Sequence, residues 1–260
     1  MKKYLYLAYL SIKNYTYYIK DFLLSRFFLV FVLIIFSFIY KTLLAGKESF
    51  ASFTLPMLLY YLAITESIEM SKVLVHNKIT NEIKDGSVAY QLLRPISYIS
   101  YHISSAIGEI FVKQFITMTI GFLCAYIIYG FKTINFLFVL ASFPIIYGAI
   151  LLNLSFIILI GMFAFYIEET SPIYWIYQKF IFIVGGLFVP LEFFPKIVLK
   201  IFKYFPFTYM NYFAAKMSVM FNLKEYLVGF SIQILYICLV LSLAAFLFSN
   251  GMKRVSIQGG

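Results

Sequence analysis

Long apolar segments alternate with short polar segments along almost the whole chain. A helix needs about 20 apolar residues to cross the hydrocarbon core of a bilayer, and six segments are near that length or longer. We therefore predict an all-α, polytopic membrane fold with six transmembrane helices, forming a single domain over residues 1–260. The predicted spans are residues 27–45, 53–71, 104–130, 134–167, 173–191 and 226–249.

The fourth apolar segment is unusual because no polar turn interrupts it between residues 134 and 167. A helix of that length would be about 50 Å long, which is too long for one upright crossing and short for two crossings with a turn. We interpret it as one long helix that is tilted or bent near Pro144, with part of it along a membrane interface. Two short re-entrant pieces are the alternative, which the lack of a polar turn disfavours.

Residues 1–25 form an amphipathic pattern before the first span. On a helical wheel, their basic and polar side chains fall within an arc of about 120°, and apolar side chains fill most of the rest. This pattern is typical of a helix that lies in the cytoplasmic interface with its lysines toward the headgroups. Both a simple anchoring role and a mechanical role fit it. The residues of the polar arc are Lys2, Lys3, Tyr6, Lys13, Asn14, Tyr17, Lys20 and Asp21.

A second amphipathic pattern lies in residues 192–225, between spans five and six. In "FPKIVLKIFKYFPF", Lys196, Lys200 and Lys203 share an arc of about 60°, and apolar residues cover the other side. We predict one or two short re-entrant helices that dip into the outer leaflet. Glycines and a proline loosen the top of span five, and two further prolines open and close the amphipathic stretch. These five residues are Gly185, Gly186, Pro190, Pro195 and Pro206.

The positions of basic residues predict the orientation of the chain. With six spans and the N-terminus inside, 11 lysines and arginines are cytoplasmic and 8 are outside. We therefore expect both termini in the cytoplasm and a multi-pass protein of the cytoplasmic membrane. The inner set is Lys2, Lys3, Lys13, Lys20, Arg26, Lys72, Lys78, Lys84, Arg94, Lys253 and Arg254, and the outer set is Lys41, Lys47, Lys132, Lys196, Lys200, Lys203, Lys216 and Lys224.

Composition excludes a soluble protein. The chain is 63% hydrophobic and only 12% charged, so it has too few charged groups to surround its apolar residues with a water-facing shell. The net charge of +10 indicates basic loops that meet anionic lipid headgroups. We expect membrane lipids as partners and no nucleic acid. Cys124 and Cys238 both lie in apolar segments, so neither a disulfide nor a metal site is predicted.

Residues that could carry enzymatic chemistry are scarce. The sequence has no nucleophile elbow, no paired-histidine zinc helix and no phosphate-binding glycine loop, which disfavours a protease or an ATPase. Glu66 and Glu69, one helical turn apart near the inner end of span two, form a possible intramembrane polar site. They could pair with Lys72 or Lys113 in a structural role, or they could serve a substrate path or proton handling.

Residues 72–103, between spans two and three, form the only sizeable loop that the predicted topology places in the cytoplasm. We name this loop the coupling segment. Within "NEIKDGSVAYQLLRPISY", the pairs Ile79 with Ile83 and Val88 with Leu92 make two short amphipathic helical faces. Gly86 separates the two helices and lets them meet at a sharp angle that a side chain would obstruct. A proline ends the second helix. A short helix held between two spans is a place where a soluble partner can push. An inert connector is the alternative.

Three segments of the chain resemble the permease subunits of ABC exporters of the ABC-2 type. These segments are "NEIKDGSVAYQLLRPIS", "GGLFVPLEFFP" followed by "FPF", and the terminal "NGMKRVSIQGG". The resemblance extends over nearly the whole chain. It implies an interfacial N-terminal helix, a coupling helix between spans two and three, and re-entrant outer helices, in agreement with the patterns described above.

The resemblance further implies how the protein would work. Two permeases, identical or related, would pair with two copies of a separate ABC ATPase. ATP and Mg would bind to that partner, while this chain would hold no cofactor and no catalytic site. The residues that match the coupling segment of the family, and would meet the ATPase, are Glu82, Asp85, Gly86, Leu92, Leu93, Arg94 and Pro95. Those that would shape an outer gate are Gly185, Gly186, Pro190, Pro195 and Pro206.

We therefore expect an ATP-driven exporter of a hydrophobic or amphipathic cargo, such as a drug, an antimicrobial peptide or a lipid-like molecule. Two other functions stay open. An ion-coupled secondary transporter or channel would need ionisable groups in mid-span or an inverted repeat. A membrane assembly or immunity factor without transport would bind no ATPase.

Overall fold

The computed structural model describes residues 2–17, 19–130 and 135–258, without the side chains of residues 19–21 and 254–258. It is 81% helical, so the predicted all-α membrane fold is confirmed in its main feature. Its α-helices are α1 (Lys2–Tyr17), α2 (Ile19–Ser25), α3 (Phe27–Leu44), α4 (Leu55–Met70), α5 (Val75–Lys84), α6 (Val88–Leu92), α7 (Tyr98–Tyr129), α8 (Phe136–Ala141), α9 (Phe143–Met162), α10 (Ser171–Val184), α11 (Lys196–Phe202), α12 (Tyr212–Val219) and α13 (Leu223–Gln258). Strands β1 (Ser49–Phe50) and β2 (Phe53–Thr54) pair as an antiparallel ribbon before α4.

Four helices of the described chain are long and apolar enough to cross a membrane. They are Phe22–Leu44, Tyr98–Tyr129, Phe143–Phe165 and Leu223–Lys253. The other two predicted spans correspond to α4, with 16 residues, and α10, with 14 residues. Both are shorter than the roughly 20 residues that a crossing needs. The protein is therefore a multi-pass membrane protein, and the count of six crossings stays a prediction.

Helix α4 is the centre of the fold. Every residue from Leu58 to Ile68 is buried, because α3, α7 and α12 all pack around this helix. The helices at the periphery of the bundle show the opposite pattern, since Phe38 of α3 and Leu239 of α13 are more than half exposed. Apolar side chains on the outside of a helical bundle are expected where the solvent is lipid.

The fourth apolar segment is interrupted at Ser142, where α8 ends and α9 begins. Pro144 lies in the first turn of α9, the position where a proline is best tolerated. The bend predicted near Pro144 corresponds to this boundary between two helices, whereas the predicted single long helix is not observed. Residue 134 lies outside the described residues. A 3-10 turn, Phe163–Phe165, extends α9 at its other end.

The predicted N-terminal helix is present as α1 and α2, and α1 packs along α7. The hydroxyls of Ser11 and Ser105 lie 3.3 Å apart. Gly108 of α7 faces the carbonyl oxygen of Ala8, and a Cβ at that glycine would collide with it. The absence of a side chain at Gly108 therefore lets the two helices approach closely. Tyr18 and the side chains of residues 20 and 21 lie outside the described residues.

Residues 192–225, which we name the outer segment after their predicted position, contain the predicted short helices. A 3-10 turn, Leu191–Phe193, precedes α11, and a second one, Pro206–Tyr209, precedes α12. Helix α11 has no buried residue, whereas α12 is buried along most of its length. The segment therefore has an exposed half that carries Lys196, Lys200 and Lys203 and a buried half that packs against α4.

Candidate functional site

The coupling segment folds as two short helices joined by a tight turn. The Asp85 carboxylate accepts a hydrogen bond from the backbone N–H of Ser87 at 2.8 Å. Hydrogen bonds from Ser87 lower the pKa of Asp85 below its usual value. Gly86 between them has a φ of +75°, a conformation that side chains disfavour. The predicted separation of two helices at Gly86 is thus confirmed, and α7 begins at Tyr98, inside the predicted loop.

One face of α5 is seated on the membrane helices. The side chain of Ile79 covers Gly161 of α9, where an added Cβ would lie 2.9 Å from the Ile79 Cδ1 atom. On the same face, the hydroxyls of Thr80 and Thr170 lie 2.7 Å apart. Thr170 is the residue before α10. Helix α5 therefore touches both α9 and the start of α10.

His76 belongs to this seated face. Its ring stacks on Tyr174 of α10, with centroids 4.1 Å apart. Burial lowers the pKa of His76 to about 4, although the nearby Glu169 carboxylate favours the charged form. The imidazole is therefore neutral near pH 7 and acts as a packing group between α5 and α10.

Glu82, which was expected to meet a partner, points into the protein. Its carboxylate accepts a hydrogen bond from the Tyr98 hydroxyl at 2.7 Å, and the Nε2 atom of His102 lies 3.1 Å away. Burial by itself raises the pKa of Glu82, but the hydrogen bonds from His102 and Tyr98 outweigh it, so the pKa falls below its usual value. Glu82 therefore links α5 to the first turns of α7 as a carboxylate.

The C-terminal end of α5 makes an ion pair on the surface. The Lys84 Nζ atom lies 2.8 Å from a carboxylate oxygen of Glu169, and both side chains are about half exposed. Hydrogen bonds from Lys84 and then from Ser171 lower the pKa of Glu169 to about 2. The pair is exposed, so it adds little stability, but it fixes the end of α5 beside the start of α10.

Helix α1 contacts the other end of the coupling segment. Lys3 donates a hydrogen bond to the carbonyl oxygen of Pro95. The backbone N–H of Ser97 donates to the Tyr4 hydroxyl at 3.4 Å. The N-terminal helix is therefore connected to the residues between α6 and α7, a contact that the amphipathic pattern alone did not predict.

Between these attachments the segment exposes an apolar surface. Leu93 is 83% exposed and Tyr90 is 75% exposed, in a segment otherwise rich in polar residues. Arg94 is also exposed, and its guanidinium lies 5.7 Å from the ring centroid of Tyr101. We name this surface the coupling tip, and it consists of Tyr90, Leu92, Leu93, Arg94 and Pro95.

Sequence reasoning named four residues of the coupling tip but missed Tyr90. The spacing along the chain could have identified Tyr90, because it precedes Leu93 by three residues and therefore lies on the same side of a helical turn. Asp85 and Gly86 lie beside the tip and are exposed, whereas Glu82 is only 8% exposed. The structure thus exposes six of the seven predicted coupling residues and buries the seventh.

Two of the five predicted outer residues lie together in the protein interior. The carbonyl of Gly185 accepts a hydrogen bond from the backbone N–H of Tyr212 at 2.9 Å, and the carbonyl of Gly186 accepts one from the Tyr61 hydroxyl. Gly186 has a φ of +61°, and an added Cβ would lie 3.1 Å from the Tyr212 Cβ atom. Glycine is therefore required there for both conformation and space.

The three outer prolines each precede or open a short helix. Pro190 is the N-cap of the turn Leu191–Phe193, and Pro195 is the N-cap of α11. Pro206 opens the turn that leads to α12. Pro190 is buried near the glycine pair, while Pro195 is exposed. The prolines therefore divide the outer segment into short helices, as predicted.

Glu66 and Glu69 lie on α4, away from the coupling tip. Glu69 pairs with Lys72 at 2.5 Å, one of the two partners that the sequence suggested. Lys113 instead pairs with Glu109 at 2.6 Å. Glu66 is buried within α4. The charge of Glu69 is therefore neutralised locally, which fits a structural role.

A comparison with known protein families identifies the family of the chain. A family model described as an ABC-2 family transporter protein matches residues 26–259. The chain belongs to this ABC-2 transporter family. It is accordingly a membrane permease of an ABC transporter, a class of subunit that associates with ABC ATPases and is typically not catalytic itself. A search among curated proteins found no match to the chain.

Proposed function

We propose that this ABC-2 permease is the transmembrane subunit of an ATP-driven exporter that moves a hydrophobic or amphipathic cargo out of the cytoplasm. In this proposal the chain crosses the membrane six times, with both termini in the cytoplasm. It pairs with a second permease, identical or related, and with two ATPase subunits. The coupling tip is the observation that carries the proposal.

The composition of the coupling tip suits a groove on a soluble partner. Leu93 is 83% exposed, and a leucine that faces the cytoplasm has neither lipid nor a protein core to cover it. Arg94 beside it can offer several donors to carboxylates or to helix carbonyls of the partner. Interface hot spots are enriched in tyrosine and arginine, and the coupling tip carries both, in Tyr90 and Arg94.

The contacts of α5 provide a path for movement. A push on the coupling tip would reach three membrane helices through α5. Ile79 contacts Gly161 of α9, His76 stacks on Tyr174 of α10, and Glu82 accepts a hydrogen bond from Tyr98 of α7. Closure of the ATPase dimer would then displace several spans together as a rigid body. In this role Glu82 braces the coupling segment, and the exposed residues make the contact with the ATPase.

The outer segment would respond at the opposite end of the same helices. The buried turn at Gly185 and Gly186 joins α10 to both α4 and α12. A shift of α10 would therefore move this turn and the re-entrant helices that follow it. We propose that these helices form the outer gate.

Two charge variants of the coupling tip test the proposal. Leu93→Asp and Arg94→Glu should each reduce co-purification of the ATPase with the permease, and reduce ATP hydrolysis by the complex, by about tenfold or more. Both residues are exposed, so the fold and the expression level should change little. The matched controls are Leu223→Asp and Lys47→Glu, which alter an exposed leucine and an exposed basic residue in predicted outer loops.

The two possible results lead to opposite conclusions. If the tip variants lose the ATPase and the controls keep it, the coupling tip is the docking surface. If Leu93→Asp and Arg94→Glu bind the ATPase and hydrolyse ATP at the parental rate, the coupling role is wrong. Most of the argument for an ATP-driven exporter would then be lost.

A further inference from the structure

A cleft opens toward the lipid between α7 on one side and α8 and α9 on the other. It encloses about 250 Å³ and is lined by no residue of the coupling tip. Its walls are rich in aromatic rings, and Phe115 and Phe136 at its mouth are more than half exposed. The aromatic lining residues are Phe115, Phe122, Phe136, Phe143 and Tyr147.

Gln114, Thr119 and Tyr147 carry the polar groups of this lining, and of these three only Gln114 is buried. Gln114, also in the lining, is 2% exposed and occupies the middle of the 32-residue helix α7. Its Nε2 atom donates to the Ser67 hydroxyl oxygen at 2.9 Å. The Ser67 hydroxyl gives its own proton to the carbonyl of Ile64, so it can only accept from Gln114. This fixes the orientation of the amide and leaves its Oε1 atom buried without a hydrogen-bond partner.

An unpaired carbonyl at this depth is unfavourable, because the bilayer core offers no water as a donor. A hydrocarbon chain of an ordinary lipid would fill the space but would not supply the missing hydrogen. A molecule that carries one hydroxyl on a ring would supply it, and its ring would stack against the aromatic walls. A dry cavity of about 150 Å³ already holds benzene in another protein, so the cleft is large enough for a substituted ring.

We propose that this cleft is a binding site for lipophilic phenols, with the ring between the aromatic side chains and the hydroxyl donating to Gln114 Oε1. The site lies on the outer side of the helical bundle and is reached from the membrane. This inference concerns binding alone and goes beyond the proposed export function, since it holds whether the phenol is cargo, regulator or inhibitor. It involves no residue of the coupling tip.

The test uses photolabelling of the purified full-length permease in lipid nanodiscs, without any ATPase. The probes are a phenol with a photoreactive diazirine group and its O-methyl ether, which has nearly the same shape but no donor. Labelled peptides are identified by mass spectrometry over a range of probe concentrations. For the parental protein we expect saturable labelling of α7, α8 and α9, with the phenol half-saturating at a concentration about threefold to tenfold lower than the ether.

Three variants separate the contributions of the amide and of the cleft. Gln114→Leu removes the acceptor and should make the phenol and the ether equivalent. Thr119→Trp fills the cleft from its exposed wall and should abolish labelling by both probes. Ile127→Trp places the same side chain on α7 outside the cleft, at a residue that is 80% exposed, and should behave like the parental protein.

Several results would overturn the proposal. Equal labelling of the parental protein by the phenol and the ether would remove the role of Gln114. Unchanged labelling in Thr119→Trp, or labelling spread evenly over α3 and α13, would indicate simple partitioning into lipid. If Gln114→Leu fails to fold, the comparison of the two probes on the parental protein and on Thr119→Trp still decides the question. Because no ATPase is present, failure of the export proposal would not change these results.

Discussion

At the scale of single residues, neighbouring acids of the coupling segment have opposite environments. Glu82 is buried as a carboxylate because Tyr98 and His102 lie within hydrogen-bond distance, whereas Asp85 is exposed and holds the turn at Ser87. The sequence shows two acids three residues apart, and nothing local distinguishes them. The partners of Glu82 come from a later helix, so only the tertiary structure reveals which acid faces inward.

Gly86 was predicted to be required between the two short helices, but the structure gives a different physical reason for that requirement. The sequence suggested that a side chain would obstruct the angle between the two helices, yet an added Cβ at Gly86 would meet no atom within 4 Å. The constraint is its φ of +75°, which costs a residue with a side chain about 1–2 kcal/mol. Conformation, and not space, therefore requires glycine.

This distinction yields a prediction for two substitutions at Gly86. Gly86→Val should reduce ATP hydrolysis by the assembled complex about fivefold or more, because a β-branched residue resists positive φ. Gly86→Asn should keep most of the activity, because asparagine tolerates that region. The check is ATP hydrolysis per complex at matched expression. Equal losses in both variants would show that side-chain bulk, and not backbone conformation, is what the turn excludes.

At the scale of elements, helix identity was predictable from sequence and helix ends often were not. The first span, predicted over residues 27–45, is observed as Phe27–Leu44, because uninterrupted apolar residues leave no alternative. The fifth, predicted over residues 173–191, ends at Val184. The Gly185–Gly186 pair stops it early, and the hydrogen bonds from Tyr61 and Tyr212 that fix this turn come from distant elements.

Helix α11 gives a prediction for the outer segment. Ile197 is 75% exposed and Ile201 is 53% exposed, although both are apolar, so we expect them to face lipid at the outer interface. Ile201→Asp would place a charge there at a cost of about 1 kcal/mol or more, which is about a fivefold effect on an equilibrium. Lys200→Gln should have a small effect, because a lysine at an interface keeps its charge in water and is replaceable.

Both variants can be compared by the amount of folded permease in the membrane and by ATP hydrolysis of the complex. The lysine variant serves as the matched control, since it alters the adjacent exposed residue of the same helix. If the aspartate and glutamine variants both behave like the parental protein, α11 is a passive loop helix and does not contact lipid.

At the scale of the whole molecule, the two short helices decide the topology. Helix α4 has 16 residues and α10 has 14, so neither spans about 30 Å of hydrocarbon by itself. Helix α4 is surrounded by other helices and buried throughout its centre. Helix α10 exposes Trp175, Ile176 and Ile183, but residues 185–187, which follow it, are buried. A helix that is surrounded by protein need not match the bilayer thickness, because the chain at its ends is covered by other elements. Six crossings are therefore compatible with four long helices.

The topology prediction follows from this arrangement. The test uses three variants in which Cys124 and Cys238 are replaced and a single cysteine is introduced at Lys3, Lys200 or Gly260. In intact cells, only one of the three should react with a membrane-impermeant maleimide. With six crossings, Lys200→Cys lies outside and is labelled in intact cells, while Lys3→Cys and Gly260→Cys are labelled only after permeabilisation. If α4 or α10 alone failed to cross, the number of crossings would be odd and the two termini would lie on opposite sides. Labelling of Gly260→Cys in intact cells, with Lys3→Cys protected, would establish that result and exclude the six-crossing topology.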